Sequence, residues 1–402
     1  MNPSLASLQR HLCVAALALA ILPGCVAAAT SVKPQRDDEV IEVLPLITRA
    51  RPALNTLKTS ATSATLTTLP TKAKQLPPDP TVAAVAARND IAQARQTGDT
   101  RYWGRAQSVL SPWWDVPDAP VDMAVLQATV QQGRHEFAAS RKVLSAALAR
   151  TPGYAQGWLN LAALERLGGH YPQALAACAK VAQAGQALYA QACQLETESL
   201  QGDHQAATQG LQKLAAQASD DAQRAWLSSL LAEALERWGR DALAAQAYQR
   251  SLALEPDLYT AIAYSDLSLR TGRVKEALSA LSSLPETDAV LLRRAAAWRK
   301  LDDARWRSAL TTLTERTSEL KRRGDDPALH GRELALIALW LQDNPNAALA
   351  YARQNLVLQR EPVDWWVALQ SARQAKDDAA VLDLTQALRQ TGLQDARLGL
   401  KP

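Results

Sequence analysis

Residues 155–175 read AQGWLNLAALERLGGHYPQAL. Apolar residues recur at helical spacing on either side of Gly168-Gly169, which predicts two amphipathic helices joined by a glycine turn. Counted from Ala155, Trp158 is position 4, Leu161 position 7, Ala162 position 8, Tyr171 position 17 and Ala174 position 20. The preceding unit, counted from Val121, keeps that register: Ala128 at 8, Phe137 at 17, Ser140 at 20, Leu144 at 24, Ala147 at 27 and Pro152 at 32. Two units in phase at 34 residues define a repeat. Small residues at 8 and 20 let two helices approach closely, and the large residues between them fill the gaps.

A third match follows in Leu231, Ala232, Gly239, Ala244, Tyr248 and Pro256. Weaker units turn at Gly202-Asp203, Gly272-Arg273, Asp343-Asn344-Pro345 and Lys376-Asp377-Asp378. Residues 289–323 are helical by period but depart from the spacing, and 82–111 form an earlier hairpin turning at Gly98-Asp99. The pattern resembles the tetratricopeptide repeat over about 80% of the chain. That resemblance implies an all-α fold: a right-handed TPR-like α-solenoid, open and curved, its concave face lined by the first helix of each pair. It also implies a protein or peptide partner held on that face, and no catalysis. Composition points the same way. Alanine makes up roughly a fifth of the chain and glycine only 17 residues, which argues against an all-β fold or a doubly wound sheet. With its stretch 99–114 (DTRYWGRAQSVLSPWW), His135-Glu136-Phe137 and Arg360-Glu361-Pro362, the chain is also similar to a group of proteobacterial repeat proteins. This second resemblance implies fold and location, but no activity.

The first thirty residues read as an address. An apolar run from Leu12 to Leu22 would span only about 16 Å as a helix, half of a ~30 Å hydrocarbon core. It is too short for a membrane anchor and suits the apolar region of a signal peptide. Leu22-Pro23-Gly24-Cys25 resembles the lipobox of bacterial lipoproteins. That resemblance implies removal of residues 1–24 and acylation of Cys25. Val26, rather than the Asp of lipoproteins retained at the inner membrane, implies an outer-membrane lipoprotein facing the periplasm. Ordinary cleavage after Ala27-Ala28-Ala29, releasing a soluble periplasmic protein, is the alternative, and a chance cysteine is the third reading. Residues 25–80 then form the lipidated N-terminus and a disordered Pro/Thr-rich tether, without an apolar period of 2 or 3.6 at 59–65 and with one apolar island at 38–45 that is expected to dock on the C-terminal domain. The remaining divisions are a helical hairpin at 81–120, motif-bearing repeats at 121–288, and degenerate repeats with a C-terminal cap at 289–402.

Little in the chain points to chemistry. A balance of 44 Lys+Arg against 40 Asp+Glu argues against a nucleic-acid binder. No phosphate loop, nucleophile elbow or HExxH pair is present, so no cofactor and no metal are expected. His135, His170 and His204, 35 and 34 residues apart, fall at the turns of successive repeats, too far apart to share an ion. Their expected role is to cap the following helix. Cys178 and Cys193 straddle a turn at Gly185-Gln186 and lie at one level of an antiparallel hairpin. In an oxidising periplasm they favour a disulfide; otherwise they are two buried free thiols. The basic stretch from Arg293 to Arg323 reads as a solvated helix face with i,i+4 pairs, or else as a site for an acidic partner or anionic lipid. Trp113-Trp114 and Trp365-Trp366 read as caps of the array, or as binding anchors if exposed. The reading as a whole is a non-catalytic envelope scaffold that binds another cell-envelope protein or peptide and meets the membrane through its lipid alone. The alternative is a periplasmic binding protein for a glycan or small molecule.

Overall fold

The computed structural model describes residues 79–322 and 326–399. The chain divides into one unit at 1–73 and a second at 74–402, and the described residues belong to the second. The signal peptide, Cys25 and most of the tether lie outside the described residues.

The described residues form helix pairs: α1 (Pro80–Thr97) with α2 (Arg101–Leu110), α3 (Val121–Gly133) with α4 (Phe137–Arg150), and α5 (Ala155–Leu167) with α6 (Tyr171–Gln183). Next come α7 (Ala187–Leu200) with α8 (His204–Gln217), α9 (Asp221–Arg237) with α10 (Asp241–Leu254), and α11 (Leu258–Arg270) with α12 (Val274–Ala280). The last pairs are α13 (Asp288–Lys300) with α14 (Arg305–Arg322), α15 (Gly331–Trp340) with α16 (Pro345–Leu358), and α17 (Pro362–Gln374) with α18 (Asp378–Thr391). Among the described residues there is no strand. Each helix packs on its partner, and most first helices also touch the first helix of the next pair, as in α3–α5, α5–α7 and α7–α9.

The small positions do what their size allows. Ala162, Ala174, Ala232 and Ala244 have no accessible surface. Two serines at such contacts use their hydroxyls, whereas that of Ser265 is buried without a partner: Ser140 Oγ donates to the Ala128 carbonyl at 2.7 Å, and Ser251 Oγ to that of Ala225 at 2.8 Å. These bonds tie two helices together at their closest approach and give both of these buried hydroxyls a partner.

The first helix of most pairs ends on one left-handed residue. Gly169, Gly202, Gly239 and Gly272 take φ of 75°, 100°, 74° and 77°, whereas His135, Asp302, Asp343 and Lys376 take 62°, 55°, 48° and 57° at the same place. The following amide then reaches back five residues, as from His170 to the Glu165 carbonyl and from Arg240 to that of Leu235, both at 2.8 Å. This is the Schellman closure, which satisfies carbonyls that have no intrahelical donor.

The expected open rod is not what forms. The C-terminal segment returns to the turn edge of the earlier pairs. The Arg360 amide donates to the Leu167 carbonyl at 2.7 Å, and the Gln394 amide to that of Leu200 at 2.8 Å. Tyr171 and Leu200 share a buried core with α13 to α18, and α1 meets α11. The physical reason is that α5 and α7 end on carbonyls in need of donors, while Leu393 and Leu398 need burial and find it here, at 5% and 1% exposure.

Two substitutions test this account by thermal unfolding. Ala174→Leu is expected to destabilise by about 1–3 kcal/mol through overpacking. Asp302→Gly is expected to stabilise by about 1 kcal/mol by relieving the left-handed backbone.

Candidate functional site

The inner wall is built from first helices. α5, α7, α9 and the start of α11 bound a cavity of about 600 Å³. A second cavity of about 550 Å³ lies among α9, α11, α13, α15 and α17, with Arg397 at its edge.

In the first cavity Arg166 pairs with Glu196 at 2.8 Å. The Tyr259 hydroxyl donates to Glu233 at 2.8 Å, and Arg237 Nη1 stands 3.5 Å from the same carboxylate. Arg237 spends its other nitrogens on Ser199 Oγ, at 3.1 and 2.8 Å. Burial raises the Glu233 carboxyl above its ordinary value and Glu196 adds to the shift, while Arg237 opposes it. The Glu233 charge in turn lifts the Tyr259 phenol well above the usual tyrosine range. Gln156 donates to Asn160, and Asn160 to Thr129 Oγ1, at 2.9 and 3.0 Å, forming a ladder of amides. Tyr189 and Trp226 add an aromatic pair with centroids 5.5 Å apart. Amides, carboxylates and rings arranged in this way can hold an extended chain and its side chains.

In the second cavity the lining arginines are paired with carboxylates, and Lys300 adds a further positive charge. Arg270 bridges Glu236 and Asp241, and Arg397 bridges Glu236 and Asp395. Arg293 grips Asp266 through two bonds of 3.0 Å, and Arg299 holds Asp343 and the Trp340 carbonyl. Trp340 and Trp366 meet edge to face at 6.4 Å.

Several expected residues sit differently from their sequence reading. His170 stands at the N-cap of α6 without a side-chain cap bond, while Glu136 and Asp203 hold that position before α4 and α8. His135 stacks on Phe137 at 5.4 Å, and His170 Nδ1 meets Glu165 at 2.9 Å. His135 and His204 lie where the C-terminal half returns, and burial lowers both imidazoles below their ordinary value. Among the described residues no group of three or more His, Cys, Asp or Glu converges as a metal site.

The basic stretch is a solvated face with local pairs only along α14, where Arg305 and Arg322 are exposed and meet Asp303 and Glu319. Arg293 is 4% exposed and pairs across to α11, while Arg299 crosses to Asp343 and Arg316 to Asp288. The cause is position: α13 is an inner helix with α11 and α15 on its flanks. Trp113 and Trp114 pack on the core of α1 to α3 and Trp365 is buried, whereas Trp366 lines the second cavity.

Cys178 and Cys193 come together in disulfide geometry between α6 and α7, with Cα atoms 5.6 Å apart. Cys193 borders the first cavity beside Arg166, whose Nη1 is 3.6 Å from its sulfur.

One buried cluster escaped the sequence reading. Arg332 holds Asp364 at 2.7 and 2.9 Å, Asn355 donates to Asp364 at 2.6 Å, and the Glu361 amide donates to it at 2.8 Å. Burial pushes the Asp364 carboxyl up to about 6, against the downward pull of Arg332. Glu361 and Asp364 form a capping box that marks the start of α17, but nothing local in the sequence points to Arg332.

Among the described residues no helix is long and apolar enough to cross a membrane. No family model matches the chain, and no curated protein matches it. Among solved structures it is similar to a Rap protein complexed with Competence and Sporulation Factor, with TM-score 0.50 and 8% identity over 79% of this chain and 88% of that one. It is also similar to the APC/C hetero-tetramer Cut9–Hcn1, with TM-score 0.40 and 12% identity over 77% of this chain and 73% of that one. The paired helices and the first of these likenesses define the class: an all-α, TPR-like helical-repeat solenoid.

Because the folded pKa values of His135 and His204 lie below the unfolded value, their neutral forms contribute stability above about pH 6.5, and that stability is lost as pH falls through the folded values. Asp364 runs the opposite way, its contribution being lost as pH rises through about 6. The readout is therefore a difference. Between pH 7.5 and 5 the wild type is expected to lose more melting temperature than the His135→Gln, His204→Gln double variant.

Proposed function

We propose that this chain is a non-catalytic scaffold that binds a protein or peptide partner on the inner wall of its solenoid. The observation that carries this reading is the first cavity: a space of about 600 Å³ walled by consecutive first helices and lined with amides, carboxylates and aromatic rings. A groove built this way meets an extended chain with hydrogen-bonding groups at regular intervals, which suits peptide recognition better than chemistry on a bound substrate. The Rap protein of the similar structure is likewise complexed with another factor.

The address comes from the sequence alone. We place the protein in the cell envelope, held by a lipid on Cys25 at the periplasmic face of the outer membrane, with Cys178 and Cys193 oxidised there. Mass spectrometry of the mature N-terminus is expected to give acylated Cys25 as residue one; a chain beginning at Thr30 would replace the anchor with a soluble form.

Two measurements check the reading. A photo-crosslinking residue at Gln156 or Asn160, on the inner wall, is expected to trap one partner in cells, and the same residue at Gln173 or Lys180, on the exposed side of α6, is expected to trap none. Iodoacetamide is expected to leave Cys178 and Cys193 unmodified until a reductant is added. Reduction is expected to lower stability by about 3 kcal/mol on the chain-entropy estimate for a loop of this size.

A further inference from the structure

The two cavities differ in charge. In the second, each arginine that lines the wall faces a carboxylate, as described above. In the first, the charged lining groups are one arginine, Arg166, and four carboxylates, Glu196, Glu233, Glu255 and Asp257. Arg166 is committed to Glu196, and Arg237 reaches Glu233 only at 3.5 Å while serving Ser199. Among the described residues neither Glu255 nor Asp257 has an ion-pair partner; Asp257 accepts the Tyr259 and Thr260 amides as a helix cap, which leaves its charge uncancelled. The excess is negative, and it lines a half-open cavity in which Glu255 and Asp257 are exposed.

The cavity also has aromatic walls. Tyr189 and Trp226 stack at a tilt on one side. Tyr259 is 61% exposed although its hydroxyl is fixed on Glu233, so its ring face is free for contact. Carboxylates behind aromatic faces match a cation carried on an apolar stem, since the stem lies on the rings and the charged head meets the carboxylates. Guanidinium suits such a place particularly well, because it stacks on rings and forks onto a carboxylate.

We infer that the cavity between α5, α7, α9 and α11 receives an arginine or lysine side chain of the bound partner, stacked among Tyr189, Trp226 and Tyr259 with its charge toward Glu233, Glu255 and Asp257. The inference rests on the inner-wall reading above and names the chemistry of the segment that enters.

The test uses the full mature chain with labelled penta-arginine, penta-citrulline and penta-glutamate as probes, followed by fluorescence anisotropy at low and physiological salt. Citrulline keeps the shape of arginine and removes its charge. Penta-arginine is expected to bind at least about tenfold more tightly than penta-citrulline, a step of about 1.4 kcal/mol. Penta-glutamate is expected not to bind. The Glu233→Gln, Glu255→Gln double variant, verified as folded by circular dichroism, is expected to lose about that tenfold. Asp383→Asn, on the outer helix α18, is expected to lose none. Equal binding of arginine and citrulline peptides overturns the inference. So does equal loss in the Asp383→Asn control, which would mean diffuse surface charge. The partner crosslinked from Gln156 or Asn160 separates this inference from the reading beneath it. A crosslinked segment without arginine or lysine refutes the cation pocket and leaves the inner wall as the site; crosslinks confined to Gln173 and Lys180 refute both.

Discussion

A short amphipathic hairpin has no stable existence by itself: its apolar stripe is as wide as the hairpin, and only another hairpin laid against it removes that stripe from water. Every feature of this chain follows from that need. Alanine at the closest approach brings the helix axes together, so that Tyr171, Tyr248 and Leu144 can fill the space around them with 0% exposure. Ser140 and Ser251 show how narrow the allowance is. Each adds a hydroxyl at the contact, and each hydroxyl is absorbed by a backbone carbonyl on the facing helix. The left-handed residue at the end of the first helix then sets the angle at which the second leaves, and repetition of that angle makes the pairs stack in register.

Stacking alone leaves a row of helix ends along one edge, with carbonyls that no helix can satisfy. The chain covers that edge with its own C-terminal half. The seam brings charge inside: Arg397 of the returning segment is held between Glu236 of α9 and its own neighbour Asp395. Buried pairs of this kind contribute little net stability compared with an apolar contact of the same shape, yet removing one member leaves the other stranded. The pair therefore acts as a registration mark, because only one placement of the returning segment brings Arg397 to Glu236. Gly202 and Gly239 fit the same logic, since Gln394 and Ala396 lie where a side chain there would project.

The paired helices, their turns and the facing cysteines were legible because each depends on residues close in sequence or one period apart. Gly168-Gly169 with Ala162 and Ala174 gives both the hairpin and its contact. The midpoint between Cys178 and Cys193 gives their shared level, and the structure sets their Cα atoms 5.6 Å apart. The seam was not legible, because the meeting of Leu200 with Gln394 depends on how small rotations accumulate over several pairs, and no single unit encodes that sum. The basic stretch misled for a related reason. Arginine and aspartate spaced along a helix look the same whether they face water or a neighbouring helix, and only the position of α13 within the array sends Arg293 to Asp266. The inner-wall site was visible as a class of surface but not as particular residues. Glu233 and Tyr259 come from different pairs, and their bond of 2.8 Å has no signature in either segment.

The seam and the cysteine pair bear on recognition through rigidity. Cys193 sits in the wall of the first cavity, tied toward α6 at its back, with Arg166 and Glu196 braced beside it. Arg237 is held on Ser199 and reaches Glu233 only at 3.5 Å, while Glu255 and Asp257 have no ion-pair partner among the described residues. A wall held in this way keeps its unbalanced carboxylates where they stand, and they cannot relax by finding partners within the chain. An incoming cation would then meet a site already in place, so little of its binding free energy would be spent on ordering the wall, and most of the ordering cost would fall on the partner's own segment. Rigidity of the solenoid and selectivity of its inner face are in this sense one property, since both come from side chains that are prevented from moving.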